Sequence, residues 1–427
     1  MHDPATHEAE RAAPPIRHDI ICISTNHWTG LPTSKQSLML EMARSVRVLY
    51  VEPPLDIFSV LGRRRRWPKL RGLRQVRPNL WVLSPVALSV SSRPAGRVAI
   101  VERLLPRVAA AVGRLGLGER VLWCFAPEHA ALAGRLDERA VVYSAADEPA
   151  AFSSAPETTR EMERRMLDVA DLVLVVSEAL LEARSGHANV HRLPNAADVP
   201  HFKRVLAGAA GAGDAEFADA LKDSIAPEDL GRLPRPVIMY GGAAYKWFDF
   251  DLIRDVANMR PVWTIALVGP GGSGERLPAN VVRLGRRPYD EFPRYVASCD
   301  VAIIPWRDGL FARHADPIVL YQYLLCGKPV VATPFPAALE RAGLVATAQG
   351  AEEFVGAVER ALSAAGDIAL HRERTAFGLA NTWQDRASRA AALIESAASE
   401  RRAPRGRVSS GEESTRETTH TDFGGDA

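Results

Sequence analysis

Three groups of residues in this 427-residue chain could do chemistry by their type and spacing. The first is glycine placed just after an apolar run. Gly241-Gly242 closes Val237–Tyr240, and Gly269-Pro270-Gly271-Gly272 closes Trp263–Val268. Main-chain N–H groups at such turns carry partial positive charge and hold an anion such as phosphate without a side chain. Lys246, a few residues on, would add a point charge, although a plain turn with a solvent-facing lysine reads the same way. The second is a carboxylate, Asp147, at the end of the run Val141–Ser144. It suits a general base or a partner for a hydroxyl, and it equally suits an N-cap for the next helix. His129, after Pro127-Glu128, is a weaker candidate beside it. The third is basic: seven arginines and Lys69 fall within Arg63–Arg77, with Trp67 interleaved, and no acidic residue lies between Asp56 and Glu102. Read as a loop, that segment could meet anionic lipid headgroups, at about 1 kcal/mol per basic residue near the surface. A solvated basic loop is the plain alternative, and a nucleic-acid arm is a third.

The elements that must position these residues are short apolar runs alternating with helical segments, with Gly or Pro at the junctions. Strands are expected at Ile20–Ser24, Val46–Val51, Leu80–Leu83, Val121–Phe125, Val141–Ser144, Leu172–Ser177 and Val190–Leu193. A second series is expected at Val237–Tyr240, Trp263–Val268, Val281–Leu284, Val301–Ile304, Val330–Ala332 and Val345–Ala346. Helices are expected at Ser34–Arg44, Ala351–Ala364 and Trp383–Ala398, the last closing the second series. This is the pattern of parallel α/β sheets, which bind ligands beyond the carboxyl ends of their strands. The organisation expected is a lead over 1–17, a first α/β domain over 18–204, a linker or insertion over 205–235, a second α/β domain over 236–380, a closing helix over 381–399 and a tail over 400–427. The Gly/Ala-rich and Pro-rich composition of 205–235 marks the break, and the two ends read as disordered.

Composition narrows the classes. Hydrophobic content of 47% with 24% charged residues is that of a folded protein, and a net charge of +2 does not resemble a nucleic-acid binder. Four scattered cysteines without a Cys-x-x-Cys pair read as buried thiols, not as a zinc site or a disulfide framework. No apolar signal core and no spanning run is present, so a cytoplasmic location is expected, with Arg63–Arg77 as the one feature that could hold the protein at the inner face of a membrane.

Several blocks in order resemble the group 1 glycosyltransferases of the GT-B fold, in particular the branch found in bacterial surface-polysaccharide and teichuronic-acid gene clusters. These are Val48-Leu49-Tyr50-Val51-Glu52-Pro53-Pro54, Val141-Val142-Tyr143-Ser144-Ala145-Ala146-Asp147-Glu148, Ala170–Ser177 and Leu193-Pro194-Asn195-Ala196-Ala197-Asp198 in the first half. In the second half they are Tyr240-Gly241-Gly242, Leu267-Val268-Gly269-Pro270, the stretch Asn280–Pro334 and Asn381-Thr382-Trp383. The resemblance implies two Rossmann-like parallel α/β domains facing across a cleft. It implies transfer of a sugar from a nucleotide-diphosphate sugar to a glycan or lipid-linked saccharide. That sugar nucleotide is a substrate, and no cofactor or metal is implied.

The resemblance also assigns residues. Gly30, in Thr29-Gly30-Leu31-Pro32-Thr33, would approach the donor phosphates, with His27 and Trp28 toward the acceptor. Gly241, Gly242, Lys246 and Gly269 would border the diphosphate, and Arg287 the base, mainly through backbone contacts. Relatives often carry two glutamates eight positions apart, for the donor sugar and the ribose; here those positions are His314 and Gln322. Gln322 keeps an acceptor oxygen but lacks the charge assistance of a carboxylate. Asp147 would be the base of an inverting enzyme. A catalytically weakened scaffold of the same fold, or another GT-B enzyme such as a nucleotide-sugar epimerase, stays open at this point.

Overall fold

In the computed structural model of the chain, the described residues are 16–29, 32–56, 72–87, 94–153, 155–210 and 225–400. Ten strands lie in the first part: β1 (Asp19–Ile23), β2 (Val48–Val51), β3 (Leu55–Asp56), β4 (Leu73–Arg77), β5 (Leu80–Leu83), β6 (Val86–Ala87), β7 (Arg120–Cys124), β8 (Ala140–Ala145), β9 (Leu172–Val175) and β10 (Val190–Arg192). Eight of them form one sheet in the order β10-β9-β8-β7-β1-β2-β5-β4, while β3 and β6 pair separately. Six further strands form a wholly parallel sheet: β11 (Val237–Gly241), β12 (Thr264–Val268), β13 (Val281–Gly285), β14 (Val301–Ile304), β15 (Val330–Ala332) and β16 (Val345–Thr347). Their order, β13-β12-β11-β14-β15-β16, reverses direction at β11/β14, where a crevice opens at the carboxyl ends of the strands.

The reason for this architecture is visible strand by strand. All five residues of β1 are buried, and successive ones serve opposite faces: Ile20 and Cys22 pack into one core, Ile21 and Ile23 into another. In β11, Val237 and Met239 face one side and Ile238 and Tyr240 the other. A strand covered on both faces carries few polar residues, so it reads as a nearly continuous apolar run and belongs in a parallel sheet dressed with helices. The strands expected from sequence fall within a residue or two of those observed.

Four expectations change. The helix Trp383–Glu400 does not close the second domain but returns to the first. Its buried face, Trp383, Ala387, Ala390, Ala391, Ile394 and Ala397, shares a core with Leu38, Met39 and Met42 of the helix Ser34–Met42. Alanines on that face let the two helices approach closely. Second, the first domain ends earlier than residue 204: Phe202 and Leu206, on the helix Val199–Ala210, belong to the core of the second domain. Third, the lead is shorter than 1–17, because Ile16 is buried in the first core and the Arg17 N–H donates to Glu395. Fourth, Leu73–Arg77, read as part of a basic loop, is the edge strand β4, antiparallel to β5. Charged residues are a common way to protect an edge from further pairing, which is why no apolar signature marked it. The rest of Arg63–Arg77, through Arg71, lies outside the described residues, as do 1–15, most of the Gly/Ala-rich stretch and 401–427. One helix, Ile368–Ala380, was not anticipated; Gly378 packs directly on the backbone of Leu325.

Among the described residues no helix is long and apolar enough to cross a membrane, and no group of three His, Cys, Asp or Glu is arranged to hold a metal ion.

Candidate functional site

The first wall of the cleft is built at the carboxyl ends of β1, β2, β7 and β8. The loop after β1 is tied to the end of β2. The Trp28 N–H donates to Glu52 at 2.9 Å, the Trp28 ring meets Tyr50 edge-on at 5.1 Å, and the Tyr50 hydroxyl donates to the Asn26 carbonyl at 2.9 Å. Glu52 is buried, and it also accepts from Ser84 Oγ at 2.6 Å and from Arg74 at 3.4 Å, with His27 Nδ1 at 3.8 Å. Burial alone would raise its pKa. The nearby His27, the hydrogen bonds from Ser84 and the Trp28 backbone, and the charge of Arg74 outweigh it and hold the carboxyl at about 2. The linkage follows. A carboxyl depressed in the folded state stabilises above its ordinary value of 4.5, and that contribution fades as pH falls toward about 2. Glu52→Gln is therefore expected to lower the melting temperature most at neutral pH, with the difference closing between pH 4.5 and 2. A constant difference across a melting series would contradict this. Gly30 itself lies outside the described residues.

Asp147 stands two residues past the end of β8, half-buried, and no described residue hydrogen-bonds to it. Burial pushes its carboxyl up to about 6, against the opposing pull of Lys35. It caps nothing: the short turn Pro149–Phe152 has Glu148 at its N-cap, without a side-chain capping bond. The loop that carries Asp147 is nevertheless fixed. Glu148 is held by Arg184 at 3.3 Å, and Arg184 is buried against Glu163, which also accepts from the Tyr143 hydroxyl at 3.0 Å. His129 is interior. Its Nδ1 accepts the Phe125 N–H at 3.2 Å, and burial, with Lys35 and Arg97, lowers its pKa to about 3, so it is neutral.

The second wall carries the glycines after β11 and β12. The Gly241 N–H donates to the Tyr323 hydroxyl at 2.6 Å, the Gly242 N–H to the Val268 carbonyl at 2.9 Å, and the Gly269 N–H to the Gly285 carbonyl at 2.9 Å. These three amides donate to protein acceptors. The glycines also serve close approach: a Cβ on Gly269 would run into the Gly242 carbonyl, and one on Gly241 into the Phe292 ring. Both Gly242 and Gly269 also take positive φ, 153° and 149°. Lys246 projects from the adjoining loop and donates to the Ala151 carbonyl at 3.1 Å, so it bridges the second domain to the Asp147 loop of the first.

The remaining expected residues are dispersed. The Arg287 side chain turns away to Asp229, at 2.5 Å, and Tyr295, at 2.9 Å, leaving only its backbone toward the end of β13. His314 Nδ1 lies 2.8 Å from the Leu310 carbonyl, and its own carbonyl accepts from Ser177 Oγ of the first domain at 2.7 Å. Gln322 is buried on the helix Ile318–Leu325 and hydrogen-bonds the Tyr289 side chain. Tyr289 in turn stacks on His201 at 4.3 Å, and His201 Nε2 donates to its carbonyl at 3.2 Å.

The polar pair that joins the domains was not foreseen. Asp316, with a side chain 1% exposed, accepts the Asn195 N–H at 2.7 Å and the Tyr321 hydroxyl at 2.9 Å, with Arg341 at 3.4 Å. The Asn195 side chain donates back to the Asp316 carbonyl, and Arg386 donates to the Pro194 carbonyl at 2.9 Å. Beside it, Arg192 at the edge of the first sheet pairs with Glu340 of the second domain. Both dipeptides, Pro194-Asn195 and Asp316-Pro317, lie within the blocks that carry the resemblance, 121 positions apart. Nothing local says that they meet.

Residues 235–364 match the family model of the group 1 glycosyl transferases. Those residues span β11 to β16 and the helices around them, including the switch in strand order. The second domain is thus similar to the group 1 glycosyl transferase domain. A teichuronic acid biosynthesis glycosyltransferase assignment, TuaH of Bacillus subtilis strain 168, belongs to a protein 27% identical over 159 residues, which are 34% of this chain and 40% of that relative. The chain thus aligns with well under two thirds of that relative's length. Among solved structures, sucrose-phosphate synthase from Thermosynechococcus elongatus superposes with a TM-score of 0.65 at 15% identity, covering 89% of this chain and 99% of the other. HepE of Anabaena, in complex with UDP and glucose, gives 0.59 at 18% identity, covering 88% and 99%. At such identities the likeness establishes the fold, and the fold is GT-B. In the GT-B frame, β11 to β16 form the domain opposite the one that carries Asp147.

Proposed function

We propose that this chain is a glycosyltransferase that moves a sugar from a nucleotide-diphosphate sugar to a hydroxyl of a glycan or lipid-linked saccharide during assembly of a bacterial cell-surface polysaccharide. The observation that carries the reading is the group 1 match over 235–364, in a GT-B chain whose opposite domain places a carboxylate, Asp147, beyond the carboxyl end of β8, with no hydrogen bond from any described residue. The relative TuaH supports the polysaccharide setting. HepE, solved with UDP and with UDP-glucose, makes uridine-diphosphate sugars the first donors to try. The second reading is a GT-B binding protein without turnover. It rests on Gln322, which stands where relatives carry a glutamate and is engaged by Tyr289.

A nucleotide-sugar panel separates the two. A donor at 100 times its dissociation constant is expected to add roughly 2.7 kcal/mol to the stability of the folded protein, seen as a raised melting temperature. Release of the nucleoside diphosphate, unaffected by EDTA, is expected from the same donor. A thermal shift without release supports the binding protein; no shift with any donor counts against both.

A further inference from the structure

We propose that Tyr245 and Trp247 form a stacking surface for a pyranose ring of the acceptor saccharide, on the wall of the second domain that faces the Asp147 loop. The inference deepens the proposed function, on which it rests for the saccharide being the acceptor, and adds two residues that no motif pointed to.

The surface is the open end of a row of aromatic rings. Trp247 lies in the loop after β11, Trp306 and Phe311 in the segment after β14, and Phe335 after β15; these three strands are neighbours in the sheet. Between ring centroids, Phe335 lies 5.1 Å from Trp306, Trp306 5.0 Å from Phe311, Phe311 4.8 Å from Trp247, and Trp247 5.5 Å from Tyr245. Exposure rises along the row: Phe335 and Trp306 are buried, Phe311 and Trp247 half-buried, and Tyr245 is 48% exposed. The buried end is fixed. The Trp306 N–H donates to Thr333 Oγ1 at 3.0 Å, and the Arg307 N–H ties the two loops by donating to the Trp247 carbonyl at 2.8 Å. Tyr245 itself lies against the backbone of Gly271, where a Cβ would come within 3.1 Å of its ring.

Two observations say what covers the open end. The first is its place. The loops after β11 and β14 flank the switch in strand order, where parallel sheets hold their ligands. Both loops also touch the first domain. Lys246, between Tyr245 and Trp247 in the chain, donates to the Ala151 carbonyl at 3.1 Å. The His314 carbonyl, at the end of the short helix that carries Phe311, accepts from Ser177 at 2.7 Å. A flat bilayer cannot reach a surface turned toward another domain, whereas a saccharide chain can lie along it. The second is its rim. Arg307 pairs with Asp251 at 2.7 Å and Arg313 with Asp308 at 2.8 Å, so these charges are balanced while donors and acceptors remain at the edge. A pyranose matches both parts. The C–H groups of one face meet the electron-rich face of an aromatic ring, and its hydroxyls, each donor and acceptor, meet the polar rim.

The test uses the full chain, with saturation-transfer NMR reading the binding of maltotetraose, cellotetraose and chitotetraose. At least one of them is expected to bind the wild type. Tyr245→Ala is expected to weaken that binding about five- to tenfold, as loss of one stacking ring does, while Tyr245→Phe keeps it within about twofold. Because Tyr245 is exposed, both variants should melt with the wild type. Equal saccharide binding by the wild type and Tyr245→Ala overturns the proposal, as does absence of binding for every saccharide. A loss in Tyr245→Phe as large as in Tyr245→Ala moves the contact to the hydroxyl and overturns the stacking. UDP affinity is expected to be the same in all three proteins; a parallel loss in Tyr245→Ala assigns the ring to the nucleotide and overturns the proposal. Retention of the wild type, but not of Tyr245→Ala, on phosphatidylglycerol vesicles assigns it to a membrane, with the same consequence. A donor panel without any shift removes the proposed function, while the saccharide comparison, made without nucleotide, still decides this surface.

Discussion

Asp147→Asn is expected to lower sugar transfer by about two to four orders of magnitude, the usual contribution of a positioned general base, with donor affinity changed by less than about twofold. In the reaction derived for an inverting enzyme, the acceptor oxygen forms its bond to the anomeric carbon as the bond to the diphosphate breaks. The hydroxyl proton passes to Asp147, and the diphosphate leaves with the electron pair. Asparagine cannot take that proton. The pH dependence has a definite sign: the base works ionised, and burial places its pKa at about 6, so turnover in the wild type should rise through pH 6 and level off above it. The effect on stability runs the other way. A carboxyl whose pKa is raised from 3.8 on folding stabilises only below 3.8, loses that contribution as pH rises through about 6, and is a burden at pH 7 when ionised. Asp147→Asn should therefore melt at or above the wild-type temperature at pH 7, which separates lost chemistry from lost structure. A product that retains the anomeric configuration, read by NMR, would remove the base role.

Asp316→Ala is expected to produce the largest loss of stability among single substitutions in the cleft, about 3–5 kcal/mol, the cost of breaking a buried ion pair by deleting one partner. Arg341, 8% exposed, would be left with a buried charge, and the Asn195 N–H and Tyr321 hydroxyl would lose their acceptor. Because Asn195 precedes the crossing into the second domain, the loss should appear as earlier separation of the two domains as well as a lower urea midpoint. Asn195→Ala should cost less, since its backbone N–H still reaches Asp316 and only the bond to the Asp316 carbonyl goes. A shift below about 1 kcal/mol for Asp316→Ala would show that the helix packing around residues 193–197 and 381–383 holds the domains without the pair.

Much of the architecture was legible because it is written locally. Val301–Ile304, Val330–Ala332 and Leu80–Leu83 were placed to the residue, since a strand buried on both faces has to be apolar and glycine or proline has to end it. Where a strand sits on an edge, as Leu73–Arg77 does, that pressure is absent and the signal disappears. The site was legible only in part. Asp147 stood out as a carboxylate at a strand end, and no described residue hydrogen-bonds to it. The glycines stood out too; the N–H groups of Gly241, Gly242 and Gly269 donate to Tyr323 and to neighbouring turns, and a Cβ on Gly241 or Gly269 would collide with its surroundings, which no local pattern announces.

By itself, then, the sequence determined the strands, their alternation with helices and hence two parallel sheets, because burial on both faces constrains every residue of a short run. Only the tertiary structure decided what each polar group meets. Asn195 finds Asp316 from 121 positions away, Trp383–Glu400 returns to the first domain, Gln322 takes Tyr289, and Asp147 is left with no hydrogen bond from any described residue. Periodicity records whether a residue is buried. The identity of its partner depends on how distant elements dock, and no local pattern carries that.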